Sequence, residues 1–151
     1  MSRRRILPLV IVAALAGCGG NDDANFERQY RPLNDGLLAI GRDIDKGLES
    51  AAGKSNKQLS EQFAGFALRL DALNKVLRRL DPPDDLEGRS ATLTARIDDT
   101  IKDLKAISGA TGEGDRQGTA QAVVDFNTSS RELNRAQNAL ARATGAEIGP
   151  R

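Results

Sequence analysis

The chain has no histidine, and that absence removes more chemistry than any single residue present supplies. Without imidazole there is no usual general base, no commonest metal ligand, and no Ser-His or Cys-His nucleophile pair. The Glu-x-x-His pairs through which helical bundles hold two metal ions are excluded for the same reason. Cysteine occurs once, at Cys18, so no disulfide can close a loop within the chain. Charge of one sign is also lacking: 22 Lys and Arg stand against 21 Asp and Glu, a net of +1. Such a balance exerts no pull on nucleic acid or on an anionic surface. No apolar run is long: residues 6–16 make up about half of the ~20 residues a membrane-spanning helix needs. Alternating β-branched runs and Asn-Gly hairpin turns are missing, which argues against sheet. The glycine-rich "GATGEG" follows no strand and leads into no Lys-Ser/Thr pair, so it is not a phosphate loop. No catalytic residue, metal site or cofactor is expected, and the chain does not read as an enzyme.

What is present begins with an address. "SRRRILPLVIVAALAGC" places three arginines before the short apolar run and small residues after it. This is the order of a secretion signal: basic start, apolar middle, small-residue cleavage site. The ending "LAGC" resembles the lipobox of bacterial lipoproteins. The resemblance implies that residues 1–17 are a signal peptide cut off before Cys18. Cys18 would then carry diacylglycerol, with an acyl group such as palmitate on the new amino terminus. Several chains on one residue give the stable attachment that one chain cannot. The implied location is the extracytoplasmic face of a cell membrane, with the lipid on Cys18 as the membrane contact. Removal of Arg3, Arg4 and Arg5 takes 3 from the 22 basic side chains, leaving 19 against 21 acidic, a net of −2. Residues 18–25, "CGGNDDAN", lack apolar periodicity and are expected as a lipidated cysteine and flexible tether.

The remainder reads as helix in four segments, forming a bundle over residues 26–144 with a loose tail at 145–151. The first segment, residues 23–52, has an apolar stripe Leu33, Leu37, Ile40, Ile44, Leu48. Gly36, Gly41 and Gly47 weaken it and read as places of close helix packing, and Pro32 kinks it or starts its regular part. The second, residues 56–80, opens with "SNKQ", a capping box of Ser55 and Gln58. Its stripe, Leu59, Phe63, Phe66, Leu70, Leu73, Leu77, Leu80, steps by four and three as a strict heptad seam. The third, residues 83–108, follows "RLDPPDDLEG"; Pro83 belongs to its first turn, and Asp84, Asp85 and Glu87 complement its positive end. Its stripe is Leu86, Leu93, Ile97, Ile101, Leu104, Ile107, while Asp98 and Asp99 read as a solvated face. "GATGEGDRQG", residues 109–118, is expected as a loop. The fourth segment, residues 115–143, carries Val123, Phe126, Ser130, Leu133, Gln137, Leu140.

Short connections between helices of similar length predict an all-α, antiparallel up-down-up-down four-helix bundle behind the lipoprotein signal peptide. The element "LDPPDDL" between leucine-rich helices resembles small actinobacterial lipoproteins in which P-P-x-x-L recurs between helices; that resemblance brings no activity with it.

The feature left over is the polar break in the fourth stripe. Ser130 and Gln137, with Asn127, Asn134 and nearby Asn138, set either a register or a binding face. Two roles follow for a lipid-anchored bundle of the cell envelope: a binding or structural module for an envelope protein partner, or a carrier or sensor holding a small apolar ligand between helices. A cavity beneath the fourth helix would favour the second.

Overall fold

A computed structural model of the chain describes residues 20–146, with side chains from residue 22 onward. The lipobox and Cys18 lie outside the described residues, as do residues 147–151 of the tail. Four helices follow one another: α1 Gly20–Glu49, a single 3₁₀ turn Ala51–Gly53, α2 Asn56–Leu77, α3 Asp84–Glu113 and α4 Arg116–Thr144. The fold is an all-α antiparallel four-helix bundle, and no strand occurs among the described residues.

Each boundary has a local cause. Ser55 caps α2: its Oγ accepts from the Gln58 amide at 3.3 Å, and the Ser55 amide donates to Gln58 Oε1 at 2.9 Å. These two bonds are the capping box written in the sequence. α2 stops at Leu77, three residues short of the expected end, because the Asp81-Pro82-Pro83 run cannot remain helical. The last turn tightens instead, with the amides of Arg79 and Leu80 donating to the carbonyls of Val76 and Leu77. Pro83 is the cap rather than a first-turn residue; its carbonyl accepts from Leu86 and Glu87. Asp115 caps α4, its Oδ1 accepting from the Gly118 amide at 2.9 Å.

Two expected coil segments are helical. Residues 20–25, read as tether, form the start of α1. The buried rings of Phe26 and Tyr30, stacked 6.0 Å apart, tie this end to the core and extend the helix beyond the stripe that begins at Leu33. Residues 109–118 are not a ten-residue loop. α3 continues to Glu113, and the break falls at Gly114, whose φ of 72° only glycine adopts without strain. Tertiary contact overrides the weak propensity of Gly109 and Gly112: Thr111 is buried, and Ser108 Oγ donates to the Ser60 carbonyl of α2 at 2.8 Å. In the tail, Gly145 caps α4 and Ala146 is buried.

The helices form a ring. α3 packs broadly on both α2 and α4, α1 packs more lightly on α2, and the α1–α4 seam is the most open. Leu93, Ile97 and Leu104 of α3 are completely buried at the centre. The heptad seam of α2 divides: Phe63, Phe66, Leu70 and Leu77 are core, while Leu59, Leu73 and Leu80 are partly buried at its edges.

The glycines of α1 divide in the same way. A Cβ at Gly47 would lie 2.8 Å from Gln62 Nε2 and 3.0 Å from Phe66 Cε2, and one at Gly36 would lie 3.0 Å from Leu73 Cδ1. Both let α1 approach α2. Gly41, on the other side of the helix, meets nothing within 4 Å and is not a close-packing position. Opposite signs are therefore expected in urea melts. Gly41→Ala should stabilise by about 0.5–1 kcal/mol through helix propensity. Gly47→Ala should destabilise by about 1–2 kcal/mol through overpacking. Equal shifts would show that α1 does not present these two faces.

Candidate functional site: the seam between α1 and α4

A cavity of about 200 Å³ opens along the α1–α4 seam. Its depth is set by the helices behind it, since Leu70 of α2 and Thr100 of α3 both reach its wall and both are buried. Leu37, Ile40, Ile44, Phe126 and Leu133 give the wall its apolar surface. The cavity exists because α1 offers no side chain at Gly41, and α4 offers only the hydroxymethyl group of Ser130 where its stripe would call for a large residue.

Polar groups lie at two depths. The Thr100 hydroxyl donates to its own helix, to the Arg96 carbonyl at 2.9 Å, and so is satisfied without a ligand. Gln137 is buried and joins the wall to a polar network. Its Nε2 donates to Asn34 Oδ1 at 2.9 Å and to the Asn34 carbonyl at 3.3 Å; the Tyr30 hydroxyl donates to the same Oδ1 at 3.4 Å. Burial pushes the Tyr30 phenol pKa well above its ordinary value, so it remains a neutral donor. The shallower groups are different. Arg42 and Asp45 are exposed, Asn134 is exposed and Ser130 is half-buried; all four line the cavity, and none has a partner among the described residues.

Of the expected binding face, Ser130, Asn134 and Gln137 thus meet at one cavity. Asn127 does not: it is exposed and lies beside Ser130 on a shallow outer surface with Thr128 and Arg131. Asn138 is half-buried away from the cavity wall. The α1 half of the site is Gly41, Arg42 and Asp45 at the cavity, with Asn34 reached through Gln137. The signal for it was in the sequence, because Tyr30, Asn34, Leu37, Gly41 and Ile44 step by four, three, four and three. Such a ladder carries a polar residue and a glycine on an apolar face.

A second polar cluster ties helices together. Asn74 Nδ2 donates to Asp98 Oδ1 at 2.7 Å and to the Thr94 carbonyl at 3.3 Å, and Arg78 also bonds the Asp98 carboxylate. Asp98 is therefore a tie between α2 and α3 and not simply a solvated face. Asp99 pairs with Arg96 at 3.0 Å, and Arg96 also reaches Glu132 of α4 at 2.9 Å. Among the described residues, no group of three or more Cys, Asp or Glu side chains could hold a metal ion. No described helix is long and apolar enough to cross a membrane.

Comparison with known protein families, with curated proteins and with solved structures finds no match.

Proposed function

We propose that the chain is an extracytoplasmic lipoprotein, held at a cell membrane through lipid on Cys18, whose bundle binds a small and largely apolar ligand between α1 and α4. The role is binding, not catalysis. The observation that carries it is the seam cavity: an apolar wall, a mouth with four unpartnered polar side chains, and a location where two helices of the ring are least tightly joined. Pockets for small molecules have this composition, apolar surface with a few placed polar groups. At about 200 Å³ the space suits one aromatic ring or a short branched chain; a dry engineered cavity of roughly 150 Å³ takes benzene. Filling the seam would stabilise the fold and leave no space for a ligand.

That contrast supplies the test. Ser130→Leu should place an apolar side chain in the cavity and raise stability by about 0.5–2 kcal/mol. It should also abolish binding of toluene, read by NMR shifts at Leu37 and Leu133 of the wild-type chain. Wild-type protein that takes no toluene, or a Ser130→Leu variant that takes it equally well, would overturn the cavity reading.

The anchor is supported by the "LAGC" motif and is tested separately. Mass spectrometry of the membrane-extracted protein should find a chain beginning at an acylated Cys18. Cys18→Ala should abolish lipid labelling and leave the signal peptide uncut or miscut. A mature chain that starts elsewhere without acyl mass would refute the assignment.

A further inference from the structure

We infer that the ligand of the seam is a free apolar amino acid, its side chain in the cavity and its ammonium and carboxylate groups at the mouth. The inference rests on the cavity reading above and specifies the head group. Arg42 and Asp45 carry it. They lie three residues apart on α1, a spacing that puts both on one face of the helix, and both line the cavity. Neither forms an ion pair with the other or with any described residue. Asp43, between them in sequence, instead pairs with Arg69 of α2 at 2.9 Å. A mouth offering one free cation and one free anion matches a ligand that carries one charge of each sign close together. Across the seam, Ser130 and Asn134 add hydroxyl and amide groups that can hydrogen-bond either head group.

Size and place favour an amino acid over a zwitterionic lipid. The cavity holds a single ring or a branched chain of a few carbons, as in phenylalanine or leucine, and a long acyl chain would outrun it. Its position points the same way. Gly41 lies 21 residues beyond the start of α1 at Gly20, which is about 30 Å along the helix. With the lipid on Cys18, the mouth lies about that far along the helix from the anchored end. A free amino acid carries both charges on one carbon, whereas a peptide terminus supplies only one of them.

The experiment is an NMR titration of the full chain with L-phenylalanine, N-acetyl-L-phenylalanine, L-phenylalaninamide and ethylbenzene. L-phenylalanine should shift Leu37, Gly41 and Leu133. The acetylated and amidated forms, each lacking one charge, should bind about fivefold more weakly, as the loss of one solvent-exposed charge pair at the upper end of its range predicts. Arg42→Gln and Asp45→Asn should each weaken L-phenylalanine by a similar factor and leave ethylbenzene within twofold of wild type. Both side chains are exposed and unpartnered, so these variants should fold. Ethylbenzene binding at the seam as tightly as L-phenylalanine, with Arg42→Gln and Asp45→Asn changing neither, would overturn the amino-acid assignment and leave the cavity reading standing. A single-charge analogue that equals L-phenylalanine would overturn it in favour of a peptide end. Failure of every compound to shift the seam would overturn both readings.

Discussion

Asn34→Leu should destabilise the bundle by about 2–4 kcal/mol, because it leaves the buried Tyr30 hydroxyl without its acceptor and Gln137 Nε2 with only the Asn34 carbonyl, an unmatched buried group costing roughly 1–3 kcal/mol. Asn34 Oδ1 accepts from both Gln137 Nε2 and the Tyr30 hydroxyl, and all three side chains are buried. Gln137→Leu should cost less, about 1–2 kcal/mol, since Asn34 Oδ1 keeps the Tyr30 donor and loses only one partner. An amide that only set register on a helical seam could be replaced by leucine at little or no cost. The difference is the partner. A buried amide with a good acceptor is part of the core, and removing one side of the pair leaves the other desolvated and unmatched. The triple change Tyr30→Phe, Asn34→Leu, Gln137→Leu removes every member together and should recover most of the loss. Urea melts of the single, double and triple variants give the coupling directly. Strict additivity would mean that the three side chains do not act as a network.

Leu104→Ala should cost about 2–5 kcal/mol, the range for a buried leucine whose cavity collapses only in part. Leu104 is fully buried on α3, the helix that packs broadly on both neighbours, so no single helix can shift to close the gap. Against a typical total stability of about 5–15 kcal/mol, such a loss is large enough to move the urea midpoint strongly. The control is Leu68→Ala on α2. Leu68 is 67% exposed, and its truncation should change stability by less than about 0.5 kcal/mol. Similar midpoints for the two variants would mean that the core is not where the helix faces place it.

The core and the site differ in how much of each was legible beforehand. The apolar stripes of α1 and α3 are core almost residue for residue, because a helix has one period and a run of leucines and isoleucines at that period has one way to be buried. The capping box at Ser55 is equally local: it needs only residues three apart. The glycine-rich stretch after Ile107 misled, because propensity is a weak preference that contact with α2 outweighs through the bond from Ser108 to Ser60 and the burial of Thr111. Half of the site could be read. Ser130, Asn134 and Gln137 stand out on α4 as polar residues where a seam calls for apolar ones, and the structure gathers them at one cavity. Asn127 stood out equally and lies elsewhere.

What the sequence determined by itself is therefore whatever depends on neighbours along one helix: four helices, the capping box of α2, the buried faces, the exclusion of histidine chemistry, and the motif at Cys18 that motivates the anchor. What only the tertiary structure decided is which faces meet. Gly36 and Gly47 turn toward α2 while Gly41 opens onto α4, and Asn34 lies across from Gln137, 103 residues away in the chain. Helical periodicity fixes the direction of a side chain about its own axis but carries no information about the rotation of one helix against another. That rotation is set by the packing of all four helices together, and it leaves a hollow where a glycine and a serine share a seam.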